Sequence, residues 1–224
     1  MKILAGLFFV IIASLSTSTG ETQSNDKASR LNKTLEAELT QMGAADQKYR
    51  GVIEAEMMKM SSTGTTKASD EFVAAVKSQD EIDARNIAQL EEIIRQHGWP
   101  GKSLVGEEAS KAAFLILQHS NLTRQEKYLP LLKKAARKGD ARPADVAMLE
   151  DRVLVRRGKK QIYGTQLRSG PETGGKLVLE PIEDEKHVDK RRASVGLVPL
   201  QEYLRHFGIE YSPPSRRKDH AGRN

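Results

Sequence analysis

The sequence predicts a mainly α-helical single domain with one β-hairpin near its C-terminal end. Between residues 28 and 208, most segments repeat apolar side chains every three or four positions, which is the pattern of amphipathic helices. Only two runs, 161–168 and 176–181, have the composition of strands, and the seven residues between them suit a hairpin loop. A length of 224 residues fits one domain with terminal appendages.

The predicted helices begin and end at recognisable capping residues. Gly98 is suited to end one helix, and Pro143 is suited to the first turn of another. Helix 107–118 is apolar nearly all round, so it is expected in the middle of the domain. The predicted helices are 28–60, 69–78, 80–97, 107–118, 123–138, 143–157 and 199–207.

The N-terminus has the three parts of a secretory signal. Lys2 precedes the apolar run Ile3–Ala13, and small residues follow up to Gly20. The apolar run is shorter than the roughly 20 residues of a membrane-spanning helix, and no later stretch is long and apolar enough. We therefore expect residues 1–20 to be a signal peptide, residues 21–27 to be disordered, and the mature protein to be periplasmic or secreted without a transmembrane segment.

The composition excludes several kinds of chemistry. The absence of cysteine removes thiol catalysis, disulfides and thiolate metal ligands. The five histidines show no pair at ligand spacing, so no metal and no cofactor is predicted. Gly101-Lys102-Ser103 is not a phosphate-binding P-loop, because position 96 is Gln where that loop needs Gly.

The formal net charge of +6 is partly local to a predicted disordered basic tail, residues 209–224. Aromatic residues make up 5% of the chain and do not alternate with basic ones, which weighs against nucleic-acid binding. The expected partner is therefore a small molecule or another protein.

Two charged residues occupy apolar stripe positions of their helices, Asp46 and Arg152. An unpaired buried charge is costly, so each is expected to have a partner, and Asp46–Arg50 or Asp46–Arg152 would provide one. A structural ion pair at a helix crossing is one interpretation. The other is a pocket in which Arg50 and Arg152 hold a carboxylate or phosphate while Asp46 or His119 handles a proton.

The end of the apolar helix and the predicted hairpin supply the remaining candidates. His119 is either a general base or proton relay, or a residue that interacts with the last carbonyls of its helix. Gln118 beside it faces another direction. Gly164 would allow a ligand to approach Tyr163 and Gln166, although a polar row packed against the helices explains them equally well. Asp151 is expected to cap or pair at the helix surface.

Several short motifs, taken together, resemble a bacterial domain family of unknown function. The resemblance covers roughly residues 31 to 204 and implies a bacterial source, but it implies no activity. Its motifs are Asp46-Gln47 with Arg50, Asp83 with Asn86, Trp99-Pro100-Gly101, Val105-Gly106, Gln118-His119, Leu129-Pro130-Leu131-Leu132, Asp151-Arg152 and Tyr163-Gly164-Thr165-Gln166.

Two hypotheses follow, and they leave open whether the protein is an enzyme. The first is an exported domain that binds a small anionic ligand or is hydrolase-like. The second is a non-enzymatic exported interaction or structural module whose inward polar residues form a buried network. In the first, His119 and Asp46 are the catalytic candidates, and the ligand-binding candidates are Arg50, Gln118, Arg152, Tyr163 and Gln166.

Overall fold

The computed structural model describes residues 31–63, 65, 67–174 and 176–212. It confirms the predicted mainly helical fold with one antiparallel hairpin near the C-terminal end. The predicted signal peptide, the segment 21–27 and residues 213–224 of the predicted tail lie outside the described residues. No described helix combines the length and the apolar composition that a membrane span requires.

The helices and strands follow one another in the order α-helices, hairpin, α-helices. The elements are α1 (Lys33–Gln47), α2 (Arg50–Thr63), α3 (Asp70–His97), α4 (Lys102–His119), α5 (Leu122–Arg137), α6 (Pro143–Arg156), β1 (Leu167–Arg168), β2 (Val178–Leu179), α7 (Val188–Ser194) and α8 (Leu200–Arg205). In the hairpin, Leu167 pairs with Leu179 and Arg168 with Val178.

The first three helices differ from the prediction in where the chain breaks. The single helix predicted over 28–60 is wrong, because the chain breaks between α1 and α2. Gln79 holds this break: its side chain accepts from the Tyr49 N–H at 3.2 Å and donates to the Asp46 carbonyl at 2.9 Å. The two helices predicted over 69–78 and 80–97 are one helix, α3, which Ser69 caps.

Smaller differences have local causes. Asn121 rather than Thr123 caps α5, since its side chain accepts from the Arg124 N–H. In α4, Gly106 has a φ of 82°, which separates the first turn from the apolar remainder. The strand predicted over 161–168 is limited to β1, because residues 161–166 form a loop held by side chains. Helix α7 was not predicted.

Helices α1 and α4 pack closely against each other and run in the same direction. The Asn32 N–H donates to the Leu104 carbonyl at one end, and Asp46 meets His119 at the other. Between them Gly43 faces Ala112 so closely that a Cβ on Gly43 would lie 2.6 Å from the Ala112 Cβ. The missing side chain at residue 43 therefore allows the C-terminal ends of the two helices to meet.

Gly43→Ala should accordingly destabilise the protein by about 1–3 kcal/mol, because the added methyl overpacks the contact between α1 and α4. Urea unfolding would measure this loss. The double variant Gly43→Ala with Ala112→Gly should recover part of it, since the clash is removed while a helix-interior glycine costs about 1 kcal/mol. Additive losses in the double variant would contradict the contact.

The apolar interior consists of two clusters. The larger cluster lies among α1, α3, α4, α5 and α6. The smaller is formed by Leu167, Ile182, Val188, Leu200 and Leu204, with Ile209 and Tyr211 packed against it. Residues 161–166, here called the Asp151 loop, lie where α6 of the large cluster meets α7 and α8 of the small one.

Candidate functional site

The centre of the candidate site is the Asp46 carboxylate in the last turn of α1. Asp46 is 1% exposed. His119 Nδ1 lies 3.0 Å from Oδ1 and 2.9 Å from Oδ2. Arg50 donates to the same carboxylate through Nη2 at 3.0 Å and Nε at 3.3 Å, and Gln47 donates to it at 2.6 Å. One buried carboxylate thus holds the amide of the next residue, an arginine one turn further along the chain and a histidine from α4.

Helix α3 completes the arrangement from the opposite side. Arg50 Nη2 donates to Asp83 Oδ1 at 2.7 Å, so the guanidinium bridges two carboxylates. Gln79 Nε2 also donates to Asp83, at 2.8 Å. We call Asp46, Arg50, Gln79, Asp83 and His119 the Asp46 cluster. About a fifth of the Arg50 and Asp83 side chains is exposed, so the cluster reaches solvent at this edge.

Burial and neighbouring charges act in opposite directions on the protonation of Asp46 and His119. Burial alone would raise the pKa of Asp46, but contacts with His119 and Arg50 outweigh it and lower that pKa to about 2. Burial lowers the pKa of His119, although the Asp46 carboxylate acts in the other direction. At neutral pH the pair is therefore a carboxylate and a neutral imidazole, and the acceptor at Nδ1 places the imidazole proton on that nitrogen.

Two further arginines of α6 lie beside the cluster. Arg152 is 2% exposed, and burial together with Arg156 and Arg50 lowers its pKa well below the ordinary value. His119 is also within electrostatic reach of Arg50 and Arg152. Arg156 donates to the Ser120 carbonyl at 2.9 Å, just beyond the end of α4. Arg50 and Arg152 therefore bring positive charge to the imidazole, and Arg156 lies beside Arg152.

Asp151, the neighbour of Arg152, bonds to the backbone of a loop and not to the Asp46 cluster. The prediction that it lies at the helix surface is wrong, because it is 0% exposed. Its carboxylate accepts from the N–H groups of Ile162, Tyr163 and Thr165 at 2.6 to 3.1 Å, and from the Thr165 hydroxyl at 3.0 Å. The carboxylate therefore fixes the backbone of the Asp151 loop.

Other side chains close the same loop. Gln161 accepts from the Gln166 N–H at 2.8 Å and donates to the Gln166 carbonyl at 3.1 Å. Arg192 donates to the Tyr163 carbonyl at 2.7 Å, and Tyr203 donates to the Thr165 carbonyl at 2.9 Å. Gly164 has a φ of 70°, and a Cβ there would lie 2.9 Å from the side chains of both Ile182 and Leu200. Only glycine fits this position.

The structure brings some of the predicted site residues together and leaves others apart. Asp46, Arg50 and His119 are in direct contact, and Arg152 is electrostatically coupled to the last two. Among the described residues, no hydrogen bond or ion pair joins Tyr163 or Gln166 to the Asp46 cluster. Gln166 donates instead to the Met148 carbonyl at 3.4 Å and to the Thr165 hydroxyl at 3.0 Å.

Gln118 lies next to the cluster in the sequence and inside the core. It is 0% exposed, and its carbonyl accepts from Gln125 at 2.7 Å. Within the described part of the chain, its side-chain amide has no hydrogen-bond partner. Ligand binding by Gln118, Tyr163 and Gln166 stays a prediction.

Sequence reasoning missed Gln79 as a member of the site and placed Asp83 only within the family pattern. Both lie on α3, whose division into two predicted helices hid the relation between them. Read as one helix, Ala75, Gln79, Ile82 and Asn86 form a continuous stripe, and all four are buried. Gln79 and Asn86 are thus polar residues at stripe positions, the same signal that singled out Asp46.

The described ranges contain no group of three His, Asp or Glu side chains placed to hold a metal ion. Ser120, next to His119, uses its hydroxyl to donate to the Leu117 carbonyl at 2.7 Å. The arrangement is therefore a histidine oriented by a carboxylate, with Arg50 and Arg152 within electrostatic reach. Such a set is able to bind an anion and to transfer a proton.

The fold and this cluster define a mainly helical domain with a buried His–Asp–Arg centre. The chain belongs to a family of unknown function, DUF6624, whose model matches residues 33–212. This match includes every member of the Asp46 cluster and the whole Asp151 loop. Searches of the curated proteins and of the solved structures returned no match.

Proposed function

We propose that the protein is an exported domain that binds a small anionic ligand, a carboxylate or a phosphate, beside His119. The observation that carries the proposal is the contact of His119 Nδ1 with the Asp46 carboxylate at 2.9 Å, within a cluster that also holds Arg50. The export component rests on the signal-like N-terminus of the sequence.

The charges near His119 favour an anion. The carboxylates of Asp46 and Asp83 are both bonded to Arg50, while Arg152 and Arg156 add positive charge from α6. Mutual repulsion between guanidinium groups is relieved when an anion lies among them. Arginine is also the side chain that matches carboxylate and phosphate oxygens with paired N–H donors.

The orientation of His119 supports a role in proton transfer. With Nδ1 held by Asp46, Nε2 is the basic nitrogen and is directed away from that carboxylate. A neutral imidazole accepts a proton from a bound acid, and the ionised Asp46 stabilises the imidazolium that forms. If the protein is hydrolase-like, His119 Nε2 takes the proton of a water molecule. The Ser120 hydroxyl is not the nucleophile, because it donates to the Leu117 carbonyl.

Inorganic phosphate or succinate, at constant ionic strength set with chloride, should raise the unfolding midpoint of the wild type in a saturable way. Ligand at 100 times its Kd adds about 2.7 kcal/mol, which corresponds to roughly 5–10 °C for a chain of this size. His119→Gln and Arg50→Lys should lose most of the shift. Differential scanning calorimetry would measure the midpoints.

Arg124→Gln is the matched control, since Arg124 pairs with Glu91 away from the cluster, and it should keep the full shift. Equal shifts in His119→Gln and the wild type would contradict the proposed site. No shift in any protein, with both cluster variants strongly destabilised, would favour the interaction module instead.

That second candidate is favoured by the Asp151 loop, where the buried polar groups bond to the backbone of the protein itself. Asp151, Gln161 and Gln166 all follow this pattern. A domain whose polar interior serves only to fix its loops would present its function on its surface.

A further inference from the structure

The positive charge of the chain is concentrated on helices α5 and α6 and the residues that directly follow them. Residues 122–160, here called the α5–α6 hairpin, contain twelve lysine and arginine residues and five acidic ones, a net charge of +7. The whole chain has a net charge of +6, so all its other residues together have a net charge of −1. A local excess of this size attracts anionic partners.

A groove with a volume of about 340 Å³ lies between α5 and α6 on this basic hairpin. Leu129, Pro130 and Val153 line it with apolar side chains. Along α5 the groove extends from Glu126 to Arg137, which is roughly 16 Å at about 1.5 Å per residue. We call it the α5–α6 groove. It is long enough for about three turns of another helix.

Two cations that line the groove are already paired within the chain. Lys133 pairs with Glu150 at 2.6 Å, and Arg157 pairs with Glu126. Arg137 lines the groove as well, but it is exposed and has no ion pair with any described residue. A partner therefore meets at least one guanidinium group that no carboxylate of the described chain neutralises.

More cations of the same kind continue the charge past each end of the groove. They are exposed, and within the described ranges none forms an ion pair: Lys134 and Lys138 beside Arg137 in the chain, and Lys159 and Lys160 just after Arg157. Because α5 and α6 are antiparallel, these two sets lie at opposite ends. The groove thus has an apolar middle and positive charge at both ends.

This surface matches a protein segment better than a membrane or a nucleic acid. The large apolar side chains that are strongly exposed in the described residues all lie outside the hairpin, so it has none to insert into a bilayer. Its one aromatic residue, Tyr128, is 8% exposed and offers no platform for base stacking. An apolar groove between helices is instead the usual site for the apolar face of a third helix.

We propose that the α5–α6 groove binds an acidic amphipathic helix of a partner protein. Apolar side chains on one face of that helix lie over Leu129, Pro130 and Val153, as a third helix packs into the groove between two others. Acidic residues on its flanks meet Arg137 and the cations beyond both ends. The groove shares no residue with the Asp46 cluster, so the proposal goes beyond ligand binding at His119.

A fluorescein-labelled synthetic helix of about 15 residues, with leucine on one face and glutamate elsewhere, is the probe. Its fluorescence anisotropy should rise in a saturable way on titration with the purified protein. A peptide of the same composition with its leucines scattered around the helix should bind roughly 10-fold more weakly, because it presents no apolar stripe. Equal affinity for both peptides, or no saturable binding at submillimolar protein, would overturn the proposal.

Pro130→Glu and Arg137→Glu test the groove itself. Pro130 is exposed and glutamate is the better helix former, so Pro130→Glu should keep the fold while placing a carboxylate in the apolar middle. Each variant should raise the Kd of the striped peptide roughly 10-fold. Circular dichroism would verify that both variants keep their helices.

Arg85→Glu is the matched control for Arg137→Glu. Arg85 is an exposed arginine of α3 that forms no ion pair with a described residue, and its substitution changes the net charge by the same amount. The Kd should stay within about twofold of the wild type, because distant sites act independently. Equal weakening by the two variants would overturn the proposal, since general charge would then explain the binding.

Other occupants give different results. Vesicles of anionic lipid or single-stranded RNA that displace the labelled peptide more effectively than unlabelled peptide does would overturn the proposal in favour of a membrane or a nucleic acid. A wild type that is dimeric by light scattering, with a monomeric Pro130→Glu variant, would assign the groove to a second copy of the chain instead.

Discussion

Replacing Asp151 by alanine should destabilise the protein by about 3–5 kcal/mol, one of the two largest effects expected for a single residue here. The carboxylate accepts from three backbone N–H groups and one hydroxyl in a place where it is 0% exposed. Alanine leaves all four donors in the interior without their acceptor. The Asp151 loop then loses the group that fixes its backbone.

Urea unfolding at neutral pH would measure this loss. Glu150→Ala is the matched control, because Glu150 precedes Asp151 on α6 but pairs with Lys133 at the partly exposed edge. Thr165→Val should cost about 1 kcal/mol, since it removes one donor and leaves the carboxylate satisfied by the others. An Asp151→Ala variant no less stable than Glu150→Ala would contradict the role of Asp151.

Asp46→Ala should cost a similar amount, about 3–5 kcal/mol at neutral pH, because it removes a buried acceptor that His119, Arg50 and Gln47 share and leaves Arg50 with a single carboxylate. The surface variant Glu92→Gln is an informative comparison. Both carboxyls have a pKa of about 2, but Glu92 pairs with Arg95 in solvent. Solvent screens that pair, so Glu92→Gln should leave the unfolding free energy unchanged within error. If the two variants lost similar amounts of unfolding free energy, burial would not explain why the Asp46 carboxylate stabilises the fold.

The lowered pKa of Asp46 also sets a pH dependence. A carboxyl with a folded-state pKa of about 2 and an ordinary value of 3.8 stabilises the fold above pH 4, and this contribution of about 2 kcal/mol is lost as pH falls toward 2. His119 acts at higher pH: its lowered pKa means that the unfolded chain takes up a proton first, so stability begins to fall below about pH 6.5. Asp46→Asn should remove the lower step and His119→Gln the upper one in urea titrations across this range.

The fold was predictable wherever a helix carries its own signals. Gly98, Pro143 and the apolar residues of α4 define helix ends and the centre of the domain by local chemistry alone. The break between α1 and α2 was not predictable in this way, since its main support is Gln79, 30 residues from Tyr49. When a side chain of one helix bonds to the backbone at the break between two others, the sequence around the break carries no sign of it.

The candidate site was predictable to the extent that charges interrupt apolar stripes. Asp46 and Arg152 stand out for that reason, and Arg50 follows from its spacing to Asp46. The histidine prediction left two alternatives open, and the structure places His119 against Asp46. Asp151 was misjudged because its partners are backbone N–H groups, which every residue but proline carries.

The position of the Asp151 loop has a consequence for how the molecule unfolds. Since the small C-terminal cluster is joined to α6 through buried hydrogen bonds, it cannot detach without breaking the bonds of the Asp151 carboxylate and of the loop carbonyls together. We therefore expect the C-terminal elements to open together and not one at a time. Amide protons of α6 and of the Asp151 loop should exchange with solvent in one cooperative event, and the two clusters behave as a single folding unit.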